Sequence, residues 1–556
     1  MIGCITLAFF GVFFVWPVLQ TLRGGLYHGG RFTFSFVLEV FRNPIYREGL
    51  ANSLALAVAT TAVVALLALP FAYLATRYEF PGKGILSGLI LVPMILPPFV
   101  GAIGMRQMLG QYGAVNALLV RLGLMSWTNP VDWLGGGRFW AVVFTQALHL
   151  YPIFYLNAAA ALSNVDPAME EAAENLGCSG LRRFWRVTLP LTGPGLFAGG
   201  TIVFIWAFTE LGTPLMFDYT RVAAVQIFDG IKDIGRNPFP YALVLVVLVA
   251  SAGTYATAKL ALGRHSYGML TKGGSGRALV RLRGPRAALA SLAFTLLFLL
   301  AALPHVGVLL TSCSRAWYRT VLPSAWTAEH YLAALGHGIT LGSIRNSLQY
   351  ASCAVVVDVL LGIAIAYVVV RSTLRWRGLL DAMAMLPLAV PGIVMAFGYI
   401  AMSQPGRVFA ALNPGENPTA LLIVAYAVRR LPYVVRSVVA GLQQVAPAYE
   451  EAAQNLGCPP GTTLRKITLP LISANLMAGA LLAFSFAMLE VSDSLMLAQR
   501  QMHFPITKAL YELFQLLGNG RLVASALGSW AMVFLATTIV SVSLLLGKRM
   551  GTIFRI

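Results

Sequence analysis

The chain has 556 residues, of which 58% are hydrophobic and only 11% charged, and its mean hydropathy is +0.74. These values lie far outside the usage of soluble globular proteins and exclude an ordinary soluble enzyme. The net charge of +19 would suggest nucleic acid as the partner of a soluble chain. In so apolar a chain it fits basic loops at an anionic membrane surface, so we expect the lipid bilayer and no nucleic acid as a partner.

About twelve stretches along the chain are long and apolar enough to cross a membrane, since about 30 Å of hydrocarbon takes about 20 helical residues. Helices are expected because every backbone polar group must be satisfied within the segment. Two stretches are irregular: one holds three prolines between Pro93 and Pro98, and the other holds "RRLP" at 429–432. The fold class predicted is an all-α polytopic membrane protein.

A polar segment is present twice. "EEAAENLGCSGLRRFWRVTLPL" begins at Glu170, and "EEAAQNLGCPPGTTLRKITLPL" begins 280 residues later at Glu450, with 12 of 22 positions identical. Upstream residues also recur, at a spacing of 294; they include Asn52 with Asn346, Arg77 with Arg371, and Pro93 with Pro387. Six spans per half is an even number, so both halves enter from the same side and form two parallel six-helix repeats.

The repeat divides the sequence into three parts. We predict a first transmembrane domain at residues 1–262, a basic linker at 263–286 and a second transmembrane domain at 287–556. The segment 259–286 carries seven Lys or Arg and no Asp or Glu, which predicts a cytoplasmic location by the positive-inside rule. Parity then puts both repeated segments on the cytoplasmic side.

Each repeated segment predicts a short helix, a turn and a second short helix. Asp166-Pro167 is a good helix start, because Asp caps free N–H groups and Pro loses nothing at the first helical position. Gly177 suits the stop position just past a helix end. One such segment could be an ordinary amphipathic connector. Two copies that keep the same residues favour a shared docking geometry.

At these residues the sequence resembles the inner-membrane permeases of binding-protein-dependent ABC importers. Their signature is Glu-Ala-Ala, three residues, Gly, nine residues and an Ile/Leu-x-Leu-Pro ending. This sequence departs from it only at the position two before Leu, where Val187 and Ile467 are the nearby aliphatic residues. The residues that match are Glu171, Ala172, Ala173, Gly177 and Leu189-Pro190, and again Glu451, Ala452, Ala453, Gly457 and Leu469-Pro470. The resemblance implies that these loops, with Glu170 and Glu450, couple the permease to two ABC ATPase subunits on the cytoplasmic face. It also implies an extracytoplasmic substrate-binding protein that delivers the solute.

Two fused permease halves of this length are most similar to the ferric-iron importer group, so ferric iron is the substrate that the resemblance implies. Thiamine and aminoethylphosphonate permeases are also similar, which leaves those or another small solute as alternatives. An ion-gradient-driven secondary transporter is the alternative from another class, since it too commonly has twelve spans in two halves. Such a carrier would need no docking loop.

We find no catalytic or nucleotide-binding motif in the sequence. The sequence contains no Gly-x-x-x-x-Gly-Lys-Ser/Thr loop, so we expect that this chain is no enzyme, holds no cofactor, and leaves ATP to separate subunits. Its five cysteines show no Cys-x-x-Cys spacing, and no metal site is predicted.

A second matched pair lies inside the spans. Glu210 and Glu490 are again 280 residues apart, and a carboxylate within a span faces an interior cavity or a partner because its burial in lipid is costly. One interpretation is a pair lining a path for a cation, and the alternative is a helix-end hydrogen bond or a local salt bridge. Arg429 and Arg430 are further pathway candidates, and they would suit an anion instead.

Overall fold

The computed structural model describes residues 2–28, 31–95, 98–135, 137–235, 237–263 and 279–546. The helices of the first half are α1 (Ile2–Phe10), α2 (Trp16–Leu26), α3 (Ser35–Arg42), α4 (Pro44–Arg77), α5 (Lys83–Leu89), α6 (Pro98–Leu109), α7 (Ala114–Arg121), α8 (Phe139–Ser163), α9 (Pro167–Asn175), α10 (Gly180–Arg183), α11 (Leu189–Thr209), α12 (Gly212–Met216), α13 (Ala223–Gly230) and α14 (Phe239–Gly263).

The helices of the second half repeat this order. They are α15 (Pro285–Ser312), α16 (Glu329–Gly336), α17 (Thr340–Arg371), α18 (Arg377–Met385), α19 (Gly392–Met402), α20 (Thr419–Gln444), α21 (Ala448–Asn455), α22 (Pro460–Thr463), α23 (Leu469–Leu471), α24 (Ser473–Met488), α25 (Ser492–Leu497), α26 (Ile506–Gln515) and α27 (Gly520–Leu546).

Shorter elements complete the described chain. Three π-helical turns (Gly11–Val15, Phe184–Thr188, Leu464–Thr468) and five 3₁₀ turns (Val92–Ile95, Ile231–Asp233, Leu386–Leu388, Ala410–Leu412, Gln501–His503) adjoin the helices. The strands form three two-stranded pairs: β1 (Tyr27–His28) with β2 (Arg31–Phe32), β3 (Tyr78–Glu79) with β4 (Val280–Arg281), and β5 (Ser314–Ala316) with β6 (Ala325–Trp326).

The described residues contain eight uninterrupted helices that are long and apolar enough to span a membrane, and up to eleven spans if three bent helix pairs are counted. The pairs bend by 99° between Met94 and Pro98, by 100° between Leu388 and Gly392, and by 77° next to Ile472. Helix α20 is 26 residues long but carries Arg429, Arg430 and Arg436. With α20 as the remaining span, each half has six, which agrees with the predicted all-α polytopic fold.

Prolines explain two of the three bends. Pro93 and Pro98 flank the first break, and Pro387 and Pro391 flank the second. A proline donates no backbone hydrogen bond and disfavours a helical conformation in the residue before it, so the span cannot continue straight. The stretch at 429–432, expected to be irregular as well, lies inside the continuous helix α20.

The described residues pack as two compact units that combine elements from both halves of the sequence. Unit 1 holds residues up to Arg47, Ala223–Val249 and the chain from Tyr331 onward, whereas unit 2 holds Glu48–Val222 and Ala250–His330. The first helices of the first half thus belong with the second half, and α15 belongs with the first half. The predicted boundaries of the two transmembrane domains, at residues 262 and 287, divide the sequence and remain a prediction. Residues 264–278 of the predicted linker lie outside the described residues.

Each unit contains the same close helix crossing. In unit 2, a Cβ atom on Gly104 of α6 would lie 2.1 Å from the carbonyl oxygen of Pro304 in α15. In unit 1, a Cβ atom on Gly398 of α19 would lie 2.8 Å from the carbonyl oxygen of Pro17 in α2. Gly104 and Gly398 are 294 residues apart, the spacing of the upstream repeat. The crossing therefore requires glycine in both halves and recurs as part of the repeat.

The exchanged helices generate a prediction about chain cleavage. A protease site placed within 264–278 should allow the linker to be cut without separating the two fragments in mild detergent, because each unit buries helices from both. Co-purification through a tag on the C-terminal fragment measures this, with SDS-denatured protein as the control. Recovery of the tagged fragment alone would contradict the exchange.

Candidate coupling loops and buried charges

The two repeated segments form short helices joined by turns, and we call them knob 1 (residues 166–191) and knob 2 (residues 446–471). In knob 1, α9 begins as expected, with the Asp166 side chain accepting a hydrogen bond of 2.9 Å from the N–H of Ala168. The helix ends at Gly177, which has a φ of +80°, and the equivalent Gly457 has a φ of +84°. A glycine adopts this left-handed conformation without steric cost, which explains its presence in both copies.

The end of each knob helix is closed by the same backbone hydrogen bonds. The N–H of Cys178 donates to the carbonyl of Ala173 at 2.9 Å, and the N–H of Cys458 donates to the carbonyl of Ala453 at 3.0 Å. This six-residue closure around a left-handed glycine is the Schellman arrangement, which satisfies carbonyl groups that the helix leaves open. The matched cysteines are thus end-cap residues and are partly buried.

A buried ion pair anchors knob 1 to the end of α4. The Glu170 carboxylate, 0% exposed, accepts hydrogen bonds from the Arg77 guanidinium at 3.0 Å and from the Thr188 hydroxyl at 2.6 Å. A buried carboxylate is tolerated when it is paired and hydrogen-bonded in this way. Glu170 therefore positions the knob and does not lie on its surface.

Knob 2 repeats the anchor at the end of α17. The Glu450 carboxylate accepts a hydrogen bond from Arg371 Nε at 3.0 Å and another from the Thr468 hydroxyl at 2.9 Å. Arg371 also donates to the backbone carbonyl of Val445 at 2.8 Å. The sequence analysis noted these arginines only as part of the repeat. Their role was not visible because 93 residues separate Arg77 from Glu170.

The outer faces of the knobs remain open. Glu171, Ala172 and Gly177 are exposed in knob 1, as are Glu451, Ala452 and Gly457 in knob 2, whereas Ala173 and Ala453 are partly buried. A bulky apolar residue is exposed at each tip, Leu176 at 86% and Leu456 at 89%. Both leucines belong to the Asn-Leu-Gly that the two repeated segments share, but they were not predicted from the sequence to be site residues. The sequence did contain a signal for them: both copies of the repeat keep an apolar residue at the end of a short polar helix.

The anchor generates a prediction about knob order. Arg77→Met should leave the Glu170 carboxylate buried without its cation, at a cost of about 3–5 kcal/mol, and loosen the knob. Hydrogen exchange should then speed up across α9. Arg182→Met, which removes an exposed arginine of the same knob, is the matched control. Protection of α9 that is unchanged in Arg77→Met would show that the ion pair does not hold the knob.

Inside unit 1, Glu490 belongs to a buried cluster of charges. Its carboxylate is paired with Arg429 Nη1 at 2.6 Å and with Arg430 Nη2. Arg429 also contacts the buried Asp493 at 3.3 Å. Two guanidinium groups and two carboxylates balance one another, so none of the four charges is left without an opposite charge beside it. The Arg429 guanidinium lies so close to Gly392 that a Cβ atom there would be 1.9 Å from Nη1.

The matched residue in unit 2, Glu210, has different surroundings. Its carboxylate accepts hydrogen bonds from the backbone N–H groups of Gly212 at 3.2 Å and Thr213 at 3.4 Å. These groups begin the short helix α12, so the contact satisfies donors that a helix start leaves open. The repeat spacing pairs Arg430 with Leu150 and Asp493 with Thr213, so the sequence of the first half does not supply the rest of the cluster.

Asp358 is a further acid of the second half, for which the sequence favours a local polar contact over a proton relay. It is 0% exposed within α17, and neither carboxylate oxygen has a hydrogen-bond partner among the described residues. The residue 294 positions earlier is Val64, which is also fully buried. The position is therefore buried in both halves of the repeat, but it carries a carboxyl group only in the second half.

Substitution by glutamine should separate the two matched glutamates. Glu490→Gln removes the negative charge shared by Arg429 and Arg430, and breaking such a buried pair costs about 3–5 kcal/mol. The yield of folded protein should fall. Glu210→Gln keeps an oxygen acceptor for the N–H groups of α12 and should fold normally. Monodisperse protein recovered per cell measures both, and equal yields would contradict the structural role of the cluster.

Comparison with known proteins agrees with these features. The family of binding-protein-dependent transport system inner membrane components matches residues 68–260 and again 358–554. A ferric transport system permease protein of Actinobacillus pleuropneumoniae is 27% identical over 504 residues, or 88% of this chain and 70% of that relative. An Fe(3+)-transport system permease protein of Haemophilus influenzae is 24% identical over 468 residues, or 83% of each chain.

Shorter alignments reach permeases with other names. A molybdenum transport system permease protein of Escherichia coli is 31% identical over 150 residues, or 26% of this chain and 61% of that relative. The family match covers both halves and most of the chain. This chain therefore belongs to the binding-protein-dependent transport system inner membrane components. It is a multi-pass permease of an ABC importer in the bacterial inner membrane, and such a system includes a substrate-binding protein and an ATPase.

Proposed function

We propose that this permease imports ferric iron and that two separate ABC ATPase subunits dock on its two knobs at the cytoplasmic face. ATP is bound and hydrolysed by those subunits. An extracytoplasmic binding protein delivers the iron at the opposite face. Family membership assigns the chain to a binding-protein-dependent system, which decides against the ion-gradient-driven carrier considered from sequence.

The observation that supports docking is the agreement between the knobs. Both have an acidic residue buried in the same anchor, a glycine with a positive φ at the same position and an exposed leucine at the tip. Exposed leucines on an ordered turn are suited to fill a hydrophobic pocket on a partner. Two surfaces of the same geometry are suited to two copies of one partner.

The substrate proposal rests on the relatives that align over most of their length, two of which are named as ferric transport permeases. The buried charged residues of unit 1 are compatible with a cation as the transported substrate. Arg429 and Arg430, the candidates for binding an anion, are paired with Glu490 and Asp493 and offer no positive charge that lacks a counterion. Glu210 and Glu490 remain proposed pathway residues.

Docking and substrate can be tested in one reconstituted system. Proteoliposomes holding the permease, its ATPase and its binding protein should take up radioactive ferric iron when ATP is supplied, and molybdate or spermidine should not compete. Leu176→Asn combined with Leu456→Asn should reduce ATPase binding and uptake at least tenfold, because both tips lose their apolar contact. The control is Val408→Asn, a residue 82% exposed on a loop outside the knobs.

The two parts of the proposal fail differently. ATPase binding that survives the double leucine substitution would reject the knobs as docking surfaces, whatever the substrate is. Uptake of molybdate, thiamine or spermidine in place of iron would reject the substrate and leave the docking proposal intact.

A further inference from the structure

Two long helices locate the end of unit 2 that lies farthest from knob 1. Helix α15 starts beside the knob anchor, because β4 just before it pairs with β3, which directly follows Arg77. Its 28 residues carry the chain about 42 Å away from the anchor. Helix α8 covers about 37 Å in its 25 residues and ends at Ser163, next to knob 1. The segments after α15 and before α8 therefore both lie at the end of unit 2 opposite the knob.

The segment before α8 is longer than its counterpart in the second half. Pro93 and Glu170 are 77 residues apart, whereas the equivalent Pro387 and Glu450 are 63 apart, so the first half contains 14 additional residues. The difference falls between α6 and α8, where 29 residues stand against 16 between α19 and α20. We call residues 110–135 outer loop 1. The knobs match across the repeat, but this loop, which includes helix α7, does not.

A buried asparagine gives outer loop 1 a defined structure. Asn116 of α7 is 0% exposed, and its side chain donates hydrogen bonds to the backbone carbonyls of Gln111 at 2.8 Å and Val131 at 2.6 Å. Its side-chain oxygen accepts another hydrogen bond from the indole N–H of Trp133. One side chain thus joins the two ends of the loop and holds its surface in place.

Outer loop 1 packs against the segment after α15, residues 313–326, which we call outer loop 2. Gln107 Nε2, near the end of α6, donates to the carbonyl of Trp317 at 3.0 Å. The backbone N–H of Arg319 donates to the carbonyl of Tyr112 at 3.3 Å. The two loops come from different halves of the sequence, and these hydrogen bonds combine them into one surface.

Aromatic rings from both loops hold the side chain of Arg319. Its guanidinium carbon lies 4.7 Å from the ring centre of Tyr112 and 5.2 Å from those of Trp127 and Tyr318, which are cation–π distances. Arg319 is nevertheless exposed, and its guanidinium makes no hydrogen bond or ion pair with any residue that the structure describes. Its N–H groups can therefore bind a carboxylate, which a guanidinium holds through two parallel hydrogen bonds.

The surface around Arg319 has the composition of a protein-binding interface. Large apolar and aromatic side chains are exposed on both loops, among them Leu122 at 61%, Leu124 at 73% and Tyr318 at 62%. Arg121 and Arg315 are exposed as well, and neither has an ion pair within the described part of the chain. Tyrosine, tryptophan and arginine are enriched at binding hot spots, and exposed basic groups favour an acidic partner.

We propose that outer loops 1 and 2 form the surface on which the substrate-binding protein docks, and that a carboxylate of that protein binds Arg319. The proposal rests on the proposed function, in which the binding protein delivers its solute at the face opposite the knobs. Two ATPase subunits require two matching knobs. A single binding protein requires one orientation, and a loop that only the first half contains supplies it. The basic residues near Arg319 also speed the encounter with an acidic surface.

Binding of the purified substrate-binding protein to the full-length permease in nanodiscs tests this surface. Arg319→Ala should raise the Kd about tenfold or more, as the loss of a hot-spot contact does, and should make the Kd less sensitive to salt. Arg286→Ala removes an exposed arginine at the other end of α15 and is the matched control, for which the Kd should not change. Unchanged ATPase binding shows that the Arg319 variant is folded.

Hydroxyl-radical footprinting of the unsubstituted permease gives a second measurement that needs no variant. The rings of Tyr112 and Tyr318 should be labelled in the permease alone and protected once the binding protein is added. Rings that are already protected by the nanodisc lipid would belong to the aromatic belt of the membrane interface, which would overturn the proposal.

Equal Kd values for the Arg286 and Arg319 variants would also overturn the proposed surface, and delivery of the solute at this face would survive. Failure of the binding protein to bind the unsubstituted permease would instead reject delivery by that protein, and the docking surface with it.

Discussion

A hydrocarbon layer offers no water to a polar group, and this constraint governs where the chain places its charges and its helix breaks. The cluster of Arg429, Arg430, Glu490 and Asp493 satisfies it by pairing every charge with an opposite one. Glu210 satisfies it by accepting from the backbone of α12. The breaks in the two proline-flanked spans expose backbone groups, and these too need partners. His149, which donates to the Pro93 carbonyl, and Arg429, which lies against Gly392, occupy corresponding positions beside those breaks.

The two halves have kept some features of the repeat and lost others. Knob anchors are the same in both, down to the arginine, the threonine and the buried glutamate. The interior ionisable groups differ: the second half has a network of four of them, Arg429, Arg430, Glu490 and Asp493, whereas the first half has Leu150 and Thr213 at the positions of Arg430 and Asp493. If the two knobs dock two copies of one partner, as proposed above, that partner constrains both knobs in the same way. An interior that surrounds one solute has no such need for symmetry, and its halves can specialise.

Sequence alone predicted the features that depend on local pattern. The all-α polytopic fold, the Asp166 start and the left-handed Gly177 follow from hydropathy and from the conformational preferences of neighbouring residues. Pairings across long separations did not follow. Arg77 with Glu170 and Arg429 with Glu490 join residues 93 and 61 positions apart, and no local rule selects one arginine over another.

The exchange of first helices between the units is the feature that hydropathy could least have revealed, because a span has the same composition whichever half it packs against. Its energetic consequence is large. Unit 1 needs α2 to fill the crossing at Gly398, and unit 2 needs α15 to fill the crossing at Gly104. A six-helix half on its own would leave its crossing glycine facing lipid, where the close backbone packing that drives helix association is lost. Joining both halves in one chain supplies each crossing with its partner at a fixed one-to-one ratio.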